Sequence, residues 1–457
     1  MEALKEAFIE IYGAQPQLVR APGRVNLIGE HTDYNGLPVC PMAIGREIRL
    51  AFAPRQDNWI EIQNLNQDFP QRRFQANTTI SSYEKGDWGN YVKAAVAGIL
   101  KQEQLAQPRG MDILVSGTIP MASGLSSSTA LVVASALAFL VANDRSWEPS
   151  QLADLLTRAE KFVGTEGGGM DQAAILLAKA DHALRIDFFP LRTRDLKLPE
   201  GYEILVTKSM IAAPKTASAR QMYNQRPMEC RLAHAMLQKA LAARWGQELE
   251  SQRLGDLSAL WRQRAGKALG LIAFGKELLG ENNWSLERIS SFLELEPTAV
   301  SAQYLQLTDG STFQEPQGGF ALLPRLRHVI SEGERVREAG RALSARDAVA
   351  FGRLMDESHR SCRDDYQISC PQLDELVRLA KVGGAIGARL TGAGFGGCTV
   401  SLVPEKRVSQ CIETILEGYY QGYLKAKHPE LYAQLGQVDD YCFICRPEAG
   451  ASLVGEL

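Results

Sequence analysis

Three consecutive serines stand where a loop of glycine, proline and small residues meets a helix. The loop begins at Gly117, the serines occupy positions 126 to 128, and the apolar run ALVVASALAFLVA follows at 130 to 142. Serine hydroxyls and the first N–H groups of a helix can bind one anion, helped by the helix dipole. The stretch predicts a phosphate-binding loop, and a plain N-cap by the serines is equally compatible with it. It is not a Walker loop, because no lysine follows the glycine.

A dense polar loop lies between strand-like segments at residues 25–28 and 39–44, and a third such segment follows at 47–53. Its polar residues are Glu30, His31, Asp33, Tyr34 and Asn35. Their donors and acceptors match several hydroxyl groups, and loops on a rigid scaffold often carry function. We favour the binding of a polyhydroxyl compound over a solvated turn. A metal site is disfavoured, because the loop holds one histidine.

Two further glycine-rich stretches are candidates for chemistry. In GTEGGGMDQAAILLA, residues 164 to 178, Asp171 stands at the start of a helix of small apolar residues. It either caps that helix or accepts and orients a proton near a sugar and a phosphate. In TGAGFGG, residues 391 to 397, the glycines permit close approach to the backbone before a strand, CTVSLV.

Aromatic side chains mark the entry to another predicted helix, within residues 85 to 101. Trp88 and Tyr91 stand near its start. They either stack on a nucleotide base or pack as a buried staple at the helix entry, which is the commoner arrangement.

Three of these stretches together resemble the GHMP sugar and metabolite kinases. They are PGRVNLIGEHTDYNG from Pro22, PMASGLSSSTA from Pro120 and LTGAGFGGCTV from Leu390, in the family's order. The first is close to the galactokinase signature, and ESHRSCRDDYQISCPQLD, a polar loop followed by a helix, resembles a later segment of that family. The resemblance covers nearly the whole chain. GTEGGGMDQ and MYNQRPMECRLA resemble the eukaryotic-type branch of galactokinases and N-acetylgalactosamine kinases.

The resemblance implies an α+β protein with the two-domain GHMP kinase fold, in which mixed sheets pack with helices and the nucleotide site lies between the domains. The sequence pattern changes near residues 190 to 200. We therefore expect an N-terminal domain at 1–195, with the sugar loop and the phosphate-binding loop, and a C-terminal domain at 196–457, with the third glycine-rich motif.

The resemblance also implies roles for residues. Arg24 and Asp171 would form the catalytic pair. The sugar hydroxyls would be held by Glu30, His31 and Asp33, and Tyr223 would complete that pocket.

For the nucleotide, the resemblance implies that the loop wraps the phosphates of ATP and that Ser128 contacts Mg²⁺. Glu160 is the expected second magnesium partner, although it lies one residue closer to Asp171 than in the bacterial pattern, so the helix must shift. Trp88 is the candidate for the adenine pocket. The loop residues are Ala122, Ser123, Gly124, Leu125, Ser126, Ser127 and Ser128.

Phosphorylation of galactose at its anomeric hydroxyl is the expected activity. A kinase for N-acetylgalactosamine is the first alternative, because it needs the same catalytic parts and a roomier pocket beside C2. A catalytically silent galactose sensor on the same fold is the second. Those sensors lose residues from the serine loop, whereas SGLSSSTA, Arg24 and Asp171 are all present here.

The overall composition excludes several other classes of protein. The 457 residues carry 50 basic and 53 acidic side chains, a formal net charge of -3, which argues against nucleic-acid and membrane partners. The longest apolar run is shorter than the roughly 20 residues of a membrane span. The eight cysteines lack zinc-site spacing, and Cys442 and Cys445 are predicted to be buried in a strand. We expect a cytoplasmic monomer.

Overall fold

The structure is a computed structural model that describes residues 1–121, 123–164, 167–211, 217–307 and 310–455. For residues 217–221 it describes the backbone alone. Its strands are β1 (Gln17–Ile28), β2 (Cys40–Pro54), β3 (Trp59–Asn64), β4 (Arg72–Gln75), β5 (Met111–Gly117), β6 (His182–Asp187), β7 (Arg192–Lys197), β8 (Tyr202–Lys208), β9 (Gly387–Thr391), β10 (Cys398–Pro404), β11 (Cys442–Cys445) and β12 (Ser452–Leu453).

Helices fill most of the remaining described chain. They are α1 (Glu2–Tyr12), α2 (Gly89–Glu103), α3 (Ser127–Ala142), α4 (Pro149–Ala159), α5 (Met170–Leu177), α6 (Ala217–Trp245), α7 (Leu254–Ala265), α8 (Gly270–Leu279), α9 (Leu286–Leu293), α10 (Pro297–Tyr304), α11 (Leu322–Ser344), α12 (Ala348–Asp364), α13 (Pro371–Val382), α14 (Val408–Ile415), α15 (Lys425–Lys427) and α16 (Pro429–Tyr432). Short 3₁₀ helices lie at Asp33–Asn35, Glu160–Val163, Glu405–Arg407 and Val438–Asp440, and a π-helical stretch lies at Leu416–Leu424.

The chain divides into two compact units whose segments interleave. The first contains Met1–Val25, Pro41–Leu184 and Cys445–Leu457, and the second contains Asn26–Cys40 and Arg185–Ile444. This division differs from the expected one at 195/196, because the sugar loop belongs to the second unit. The reason is that the loop's polar groups bond to residues beyond position 320, which are distant in sequence.

The first unit is built on a mixed sheet with the strand order β12-β1-β2-β5-β3-β4. β2 and β5 are antiparallel, with Leu50 opposite Val115, and β3 is parallel to β5. The predicted amphipathic helix at the N-terminus is α1, whose Leu4 and Phe8 pack on Ala51. Helices α2 to α5 pack against one another. The apolar run at 130–142 forms most of α3, as predicted, and nearly all of it is buried.

The second unit contains a sheet with the order β11-β8-β10-β9, in which β10 is antiparallel to both β8 and β9. Helices α12 and α13 pack against β9, and α11 packs against α6, α8 and α12. Leu232, Leu237 and Leu326 belong to the buried apolar cluster between these helices. The unit thereby joins a helical core to a small sheet whose strand β9 leads into the third glycine-rich motif.

The segment expected as a polar loop before α13 is helical as far as Asp364. Its polar residues lie on one face of α12, where Arg360 and Arg363 are exposed, while Met355 and Cys362 on the opposite face are buried. The sequence predicts a loop here because charged residues are dense on the exposed face of this amphipathic helix.

The cysteines are all free, and Cys442 and Cys445 are buried in β11, as the strand pattern predicted. No helix in the described ranges is both long enough and apolar enough to cross a bilayer.

Candidate active site

The loop predicted to bind phosphate, called the phosphate-binding loop below, lies at the N-terminus of α3. Ser126 precedes the helix with a φ of 62°, and no side chain among the described residues caps the helix start. Ser127 and Ser128 occupy the first turn and are half-buried. The first N–H groups of α3 and two hydroxyls are therefore grouped at a positive helix end, which is the arrangement that binds phosphate. The N-cap alternative does not hold, because the Ser126 hydroxyl bonds elsewhere.

Asp171 lies in the first turn of α5, one residue after the start of the helix, and it does not cap it. Its Oδ1 accepts a hydrogen bond from Nε of Arg24 at 2.7 Å and lies 2.7 Å from Nη2 of the same guanidinium, in an ion pair. Its Oδ2 accepts the hydroxyl hydrogen bond of Ser126. The predicted pair is thus brought together by β1, α5 and the start of α3, although its members are far apart in sequence.

Arg24 also anchors the loop itself. Its Nη1 donates to the carbonyl of Gly124, and its backbone N–H donates to Leu125 O at 3.1 Å. A Cβ on Gly23 would lie 2.8 Å from Leu125 O. Glycine is therefore required at position 23, because the phosphate-binding loop approaches β1 closely there. Ser123 is buried, and its hydroxyl donates to Pro120 O at 2.6 Å.

Glu160 begins a 3₁₀ helix at the point where α4 ends. Burial raises the pKa of Glu160 to about 7, and the charge of Asp171 acts in the same direction, against hydrogen bonds from Thr129 and Gln172. Its Oε1 is buried without a hydrogen-bond partner among the described residues. A buried, unsatisfied carboxylate oxygen is unusual and needs an explanation.

A magnesium ion fits these residues. Mg²⁺ is bound by one or two carboxylates, hydroxyls and water, together with substrate phosphates. Glu160, whose carboxyl group is influenced by the charge of Asp171, has an Oε1 without a partner among the described residues, whereas Thr129, next to Ser128, hydrogen-bonds to the same carboxyl group. No cluster of three histidine, cysteine or acidic side chains forms a protein-only metal cage in the part of the chain described.

The remaining residues predicted for ATP have different surroundings. Trp88 is 8% exposed, its Nε1–H donates to Pro70 O at 3.0 Å, and its ring packs edge-on against Phe69. These contacts are those of a packing residue, and its role toward adenine stays a prediction. Tyr91 hydrogen-bonds to Ser128. Ala122 lies outside the described residues, and Leu125 is buried.

In the second unit, Glu30 is buried and held by the third glycine-rich motif. Its Oε1 accepts from the N–H of Gly392 at 2.9 Å and from Nη1 of Arg389 at 3.2 Å. Arg389 is fully buried and also donates to Asn26 O and to the hydroxyl of Ser358. A buried ion pair is tolerated only with such additional hydrogen bonds. These contacts fix one carboxylate of the sugar loop.

His31 belongs to a chain of buried hydrogen bonds. Its Nε2 lies 3.2 Å from Ala393 O, which can only accept, so the proton is on Nε2 and Nδ1 accepts from the hydroxyl of Tyr34 at 2.9 Å. The Tyr34 hydroxyl in turn accepts from Tyr366 at 2.7 Å. Burial lowers the pKa of His31 to about 3, although the hydrogen bond to the Ala393 carbonyl acts in the opposite direction. His31 is therefore neutral.

Tyr223 lies beside this loop, with its ring centroid 5.5 Å from that of His31. Asp33 is buried in the 3₁₀ helix Asp33–Asn35, whose end is closed by the Gly36 N–H bonding to Asp33 O at 2.9 Å. The four residues predicted for the sugar pocket thus belong to one unit, in which His31 and Tyr223 are in contact, and Arg24 and Asp171 are paired in the other.

Sequence reasoning missed three residues that hold the sugar loop. Arg389 fixes Glu30, Nε2 of His328 bonds to Glu30 O at 3.0 Å, and Glu332 accepts from the Gly29 N–H at 2.9 Å. Burial opposes ionisation of Glu332, but Arg335 and His328 overcome it and lower its pKa to about 2. Arg389 gave one usable signal, since a charged residue inside a short buried strand requires a partner.

Three family models match successive parts of the chain, in the same order as the motifs described above. The galactokinase galactose-binding signature matches residues 6–54, the N-terminal domain of GHMP kinases matches 90–179, and their C-terminal domain matches 341–421. These ranges include Arg24 with the sugar loop, the phosphate-binding loop with Asp171, and the third glycine-rich motif.

Individual relatives match over nearly the full length. A galactokinase of Dictyostelium discoideum is 32% identical, with 99% of this chain and 93% of that protein covered. A galactokinase of Roseiflexus sp. (strain RS-1) is 36% identical, with 91% of each covered. The comparisons therefore give the family and do not separate its eukaryotic and bacterial branches.

Among solved structures, Lactococcus lactis galactokinase complexed with galactose has a TM-score of 0.74 at 26% identity and covers 99% of both chains. A mevalonate kinase, at 18% identity and a TM-score of 0.53, shares the fold over 94% of this chain and 98% of its own. Together with the domain matches, these similarities establish the α+β fold of GHMP kinases.

Proposed function

Because this chain belongs to the galactokinase family of GHMP kinases, we propose that it transfers the γ-phosphoryl group of ATP to the anomeric hydroxyl of galactose. One observation carries the chemistry. The carboxylate of Asp171 is held between Arg24 and Ser126 at the uncapped start of α3. A carboxylate, a guanidinium and a helix N-terminus in contact are the groups that phosphoryl transfer to a hydroxyl requires.

In this proposal Asp171 accepts or orients the proton of the attacking hydroxyl. Each of its oxygens already accepts a hydrogen bond and keeps lone-pair capacity for another donor. Arg24 fixes the carboxylate and places positive charge where negative charge develops on the transferred group. The same guanidinium also donates a hydrogen bond to Gly124 O, which fixes the position of the phosphate-binding loop relative to Arg24. Positioning and charge stabilisation are the main contributions, as expected for phosphoryl transfer.

The donors of the phosphate-binding loop would hold the ATP phosphates through the N–H groups at the start of α3 and the hydroxyls of Ser127 and Ser128. Glu160 and Ser128 would hold Mg²⁺, which supplies charge neutralisation at the phosphates. Glu30, His31, Asp33 and Tyr223 would bind the sugar hydroxyls. We further propose a monomer that works in the cytoplasm, which the free cysteines favour.

The test is release of ADP from Mg-ATP by the purified chain, with galactose, N-acetylgalactosamine, galacturonate and glucose measured side by side. We expect galactose to give the largest kcat/KM. A larger kcat/KM for N-acetylgalactosamine would identify that sugar as the substrate in place of galactose. If no sugar is turned over while galactose raises the melting temperature in the presence of ATP, the protein is a sensor and the proposal fails.

A further inference from the structure

Tyr366 lies in the segment between α12 and α13, and its side chain is fully buried. Arg226 of α6 donates to the carbonyls of Tyr366 and Gln367 at 2.8 Å each. Ile368 O accepts from the N–H of Phe395, in the third glycine-rich motif, at 2.6 Å. The backbone around Tyr366 is therefore fixed from two directions, within the unit that contains the sugar loop.

The Tyr366 ring contacts two histidines that both support the sugar loop. Its centroid lies 5.1 Å from that of His31 and 4.4 Å from that of His328. His31 belongs to the loop, and Nε2 of His328 donates to Glu30 O at 3.0 Å. One buried tyrosine thus packs against a residue of the loop and against a residue that holds its neighbour.

The Tyr366 hydroxyl continues the hydrogen-bond chain of His31, and this chain has one direction. Ala393 O can only accept, so the neutral ring of His31 carries its proton on Nε2, and Nδ1 accepts from Tyr34. The hydroxyl of Tyr34 has then used its proton, so its oxygen accepts from Tyr366 at 2.7 Å. By the same argument the Tyr366 oxygen accepts from the thiol of Cys230 at 3.4 Å. Burial raises the pKa of Cys230 to about 11, which keeps the thiol protonated.

Removal of the Tyr366 hydroxyl breaks this chain in the middle. The Tyr34 oxygen then loses its donor, and a polar group that loses a buried partner either costs free energy or moves to find another. Because the Tyr34 hydroxyl also bonds to Nδ1 of His31, such a movement changes the position of the imidazole ring. The Nε2–H of that ring bonds to Ala393 O at 3.2 Å, longer than the usual value of about 2.9–3.0 Å, so a sugar oxygen can share it.

We propose that Tyr366 is a positioning residue of the sugar site, which acts through Tyr34 to hold His31 as a hydrogen-bond donor toward a hydroxyl oxygen of the sugar. The effect on sugar affinity rests on the function proposed above, whereas the direction of the chain does not. Arg24 and Asp171 belong to the other unit, so the chain acts on sugar affinity and leaves the rate of phosphoryl transfer unchanged.

The affinity is measured by titration calorimetry with galactose in the presence of a non-hydrolysable ATP analogue, and KM and kcat are measured by ADP release. Tyr366→Phe removes only the hydroxyl. It should raise the Kd and the KM for galactose about fivefold, the effect of one lost neutral hydrogen bond, and keep kcat within about twofold. Tyr34→Phe should act similarly. The double variant should be no weaker than the more affected single variant, because both hydroxyls belong to one chain.

Tyr420→Phe is the matched control. Tyr420 is equally buried in the same unit, and its hydroxyl donates to Lys208 O at 2.7 Å, outside the chain of His31. This variant should lower the melting temperature and bind galactose like the original chain. Equal weakening by Tyr420→Phe, or an unchanged Kd in Tyr366→Phe, overturns the positioning role. If Tyr366→Phe does not fold, Tyr34→Phe provides the same test, since Tyr34 is only half-buried.

Two further results decide whether the hydroxyls form one directed chain. Effects of Tyr34→Phe and Tyr366→Phe that multiply in the double variant overturn it. The ¹⁵N spectrum of labelled histidines, with His31→Gln to assign the signal, should show His31 protonated at Nε2, and protonation at Nδ1 also overturns it. If the original chain binds no galactose, the proposed function and the effect on sugar affinity fail together, while the ¹⁵N spectrum still decides the direction of the chain.

Discussion

The sugar loop and the catalytic pair are held in opposite ways. Glu30 and His31 direct their polar atoms to neighbours in the protein, through Arg389, Gly392, Ala393 and Tyr34. Around Asp171, by contrast, the start of α3 has no side-chain cap and the Oε1 of Glu160 has no partner within the described chain.

The difference follows from the charge of the ligands each region is proposed to meet. A neutral sugar contributes no charge, so its binding groups must be positioned in advance by the protein. Phosphates and a metal bring their own charge and satisfy donors and carboxylates when they arrive. Substitutions should therefore reduce stability in the sugar loop and activity around Asp171.

The largest effect is expected for Asp171→Asn. It should lower kcat by about 10³-fold, because the carboxylate that accepts or orients the proton is lost. The free energy of unfolding should fall by about 1–3 kcal/mol, because asparagine keeps a hydrogen-bonding group but Arg24, whose side chain is 6% exposed, loses its counter-charge. Steady-state kinetics and urea unfolding measure the two quantities. Near-normal turnover would remove Asp171 from the catalytic pair.

Arg389→Ala tests the other region. It should lower the free energy of unfolding by about 3–5 kcal/mol, because Glu30 then stays buried without its cation. Arg378→Ala is the matched control in the same unit: its ion pair with Glu375 is exposed, and its removal should cost less than about 1 kcal/mol. Adding Glu30→Gln to Arg389→Ala should recover part of the loss. Equal costs for the two arginines would contradict the contrast between the regions.

Glu160→Gln should shift the Mg²⁺ concentration for half-maximal activity upward by about tenfold, since a ligand charge is removed from a metal site. The free energy of unfolding should stay close to that of the original chain, because glutamine is neutral and needs no metal ion to balance a buried charge. Asp154→Asn, an exposed acid on α4, is the control and should leave the Mg²⁺ titration unchanged. Ser128→Ala should move the titration in the same direction as Glu160→Gln. An unaltered Mg²⁺ dependence in both variants would exclude this metal assignment.

The dependence of stability on pH gives the smallest and most graded effect. Burial lowers the pKa of His31 to about 3 and those of His234 and His328 to about 4. Unfolding exposes these rings, which then take up protons below about pH 6.5, so stability should fall as the pH drops from 7 to 4. Each uncompensated proton contributes about 1.4 kcal/mol per pH unit.

Glu160 acts in the opposite sense over part of this range. Its pKa is raised to about 7, so the folded chain holds a proton that the unfolded chain releases above its ordinary pKa, and this group favours folding as the pH falls. Urea unfolding at pH 7 and pH 5 measures the net slope. Glu160→Gln should steepen the loss of stability on acidification, and His234→Asn should flatten it. A slope that neither variant changes would contradict these assignments.

Local sequence patterns were sufficient to predict several elements. The apolar positions predicted α1 and α3, and the serines at 126–128 stand at the start of α3, where the sequence predicts a helix start. Three motifs in a fixed order gave the family, because their chemistry depends on short segments. Where charge was dense, as on α12, the same local patterns gave a loop in place of an amphipathic helix.

Only the tertiary structure decided which distant residues complete the two regions. Nothing near Glu30 in the sequence indicates Arg389 or His328, and nothing near Asp171 indicates that Ser126 bonds to it. The interleaving of the two units has the same origin, since the sugar loop is supported by residues more than 290 positions away, as in the bond from His328 to Glu30 O. The sequence alone determined which polar and charged side chains are available and which helix ends carry them. Their partners depended on the fold, because burial of a charge is satisfied by whichever residue the packing brings within a hydrogen bond.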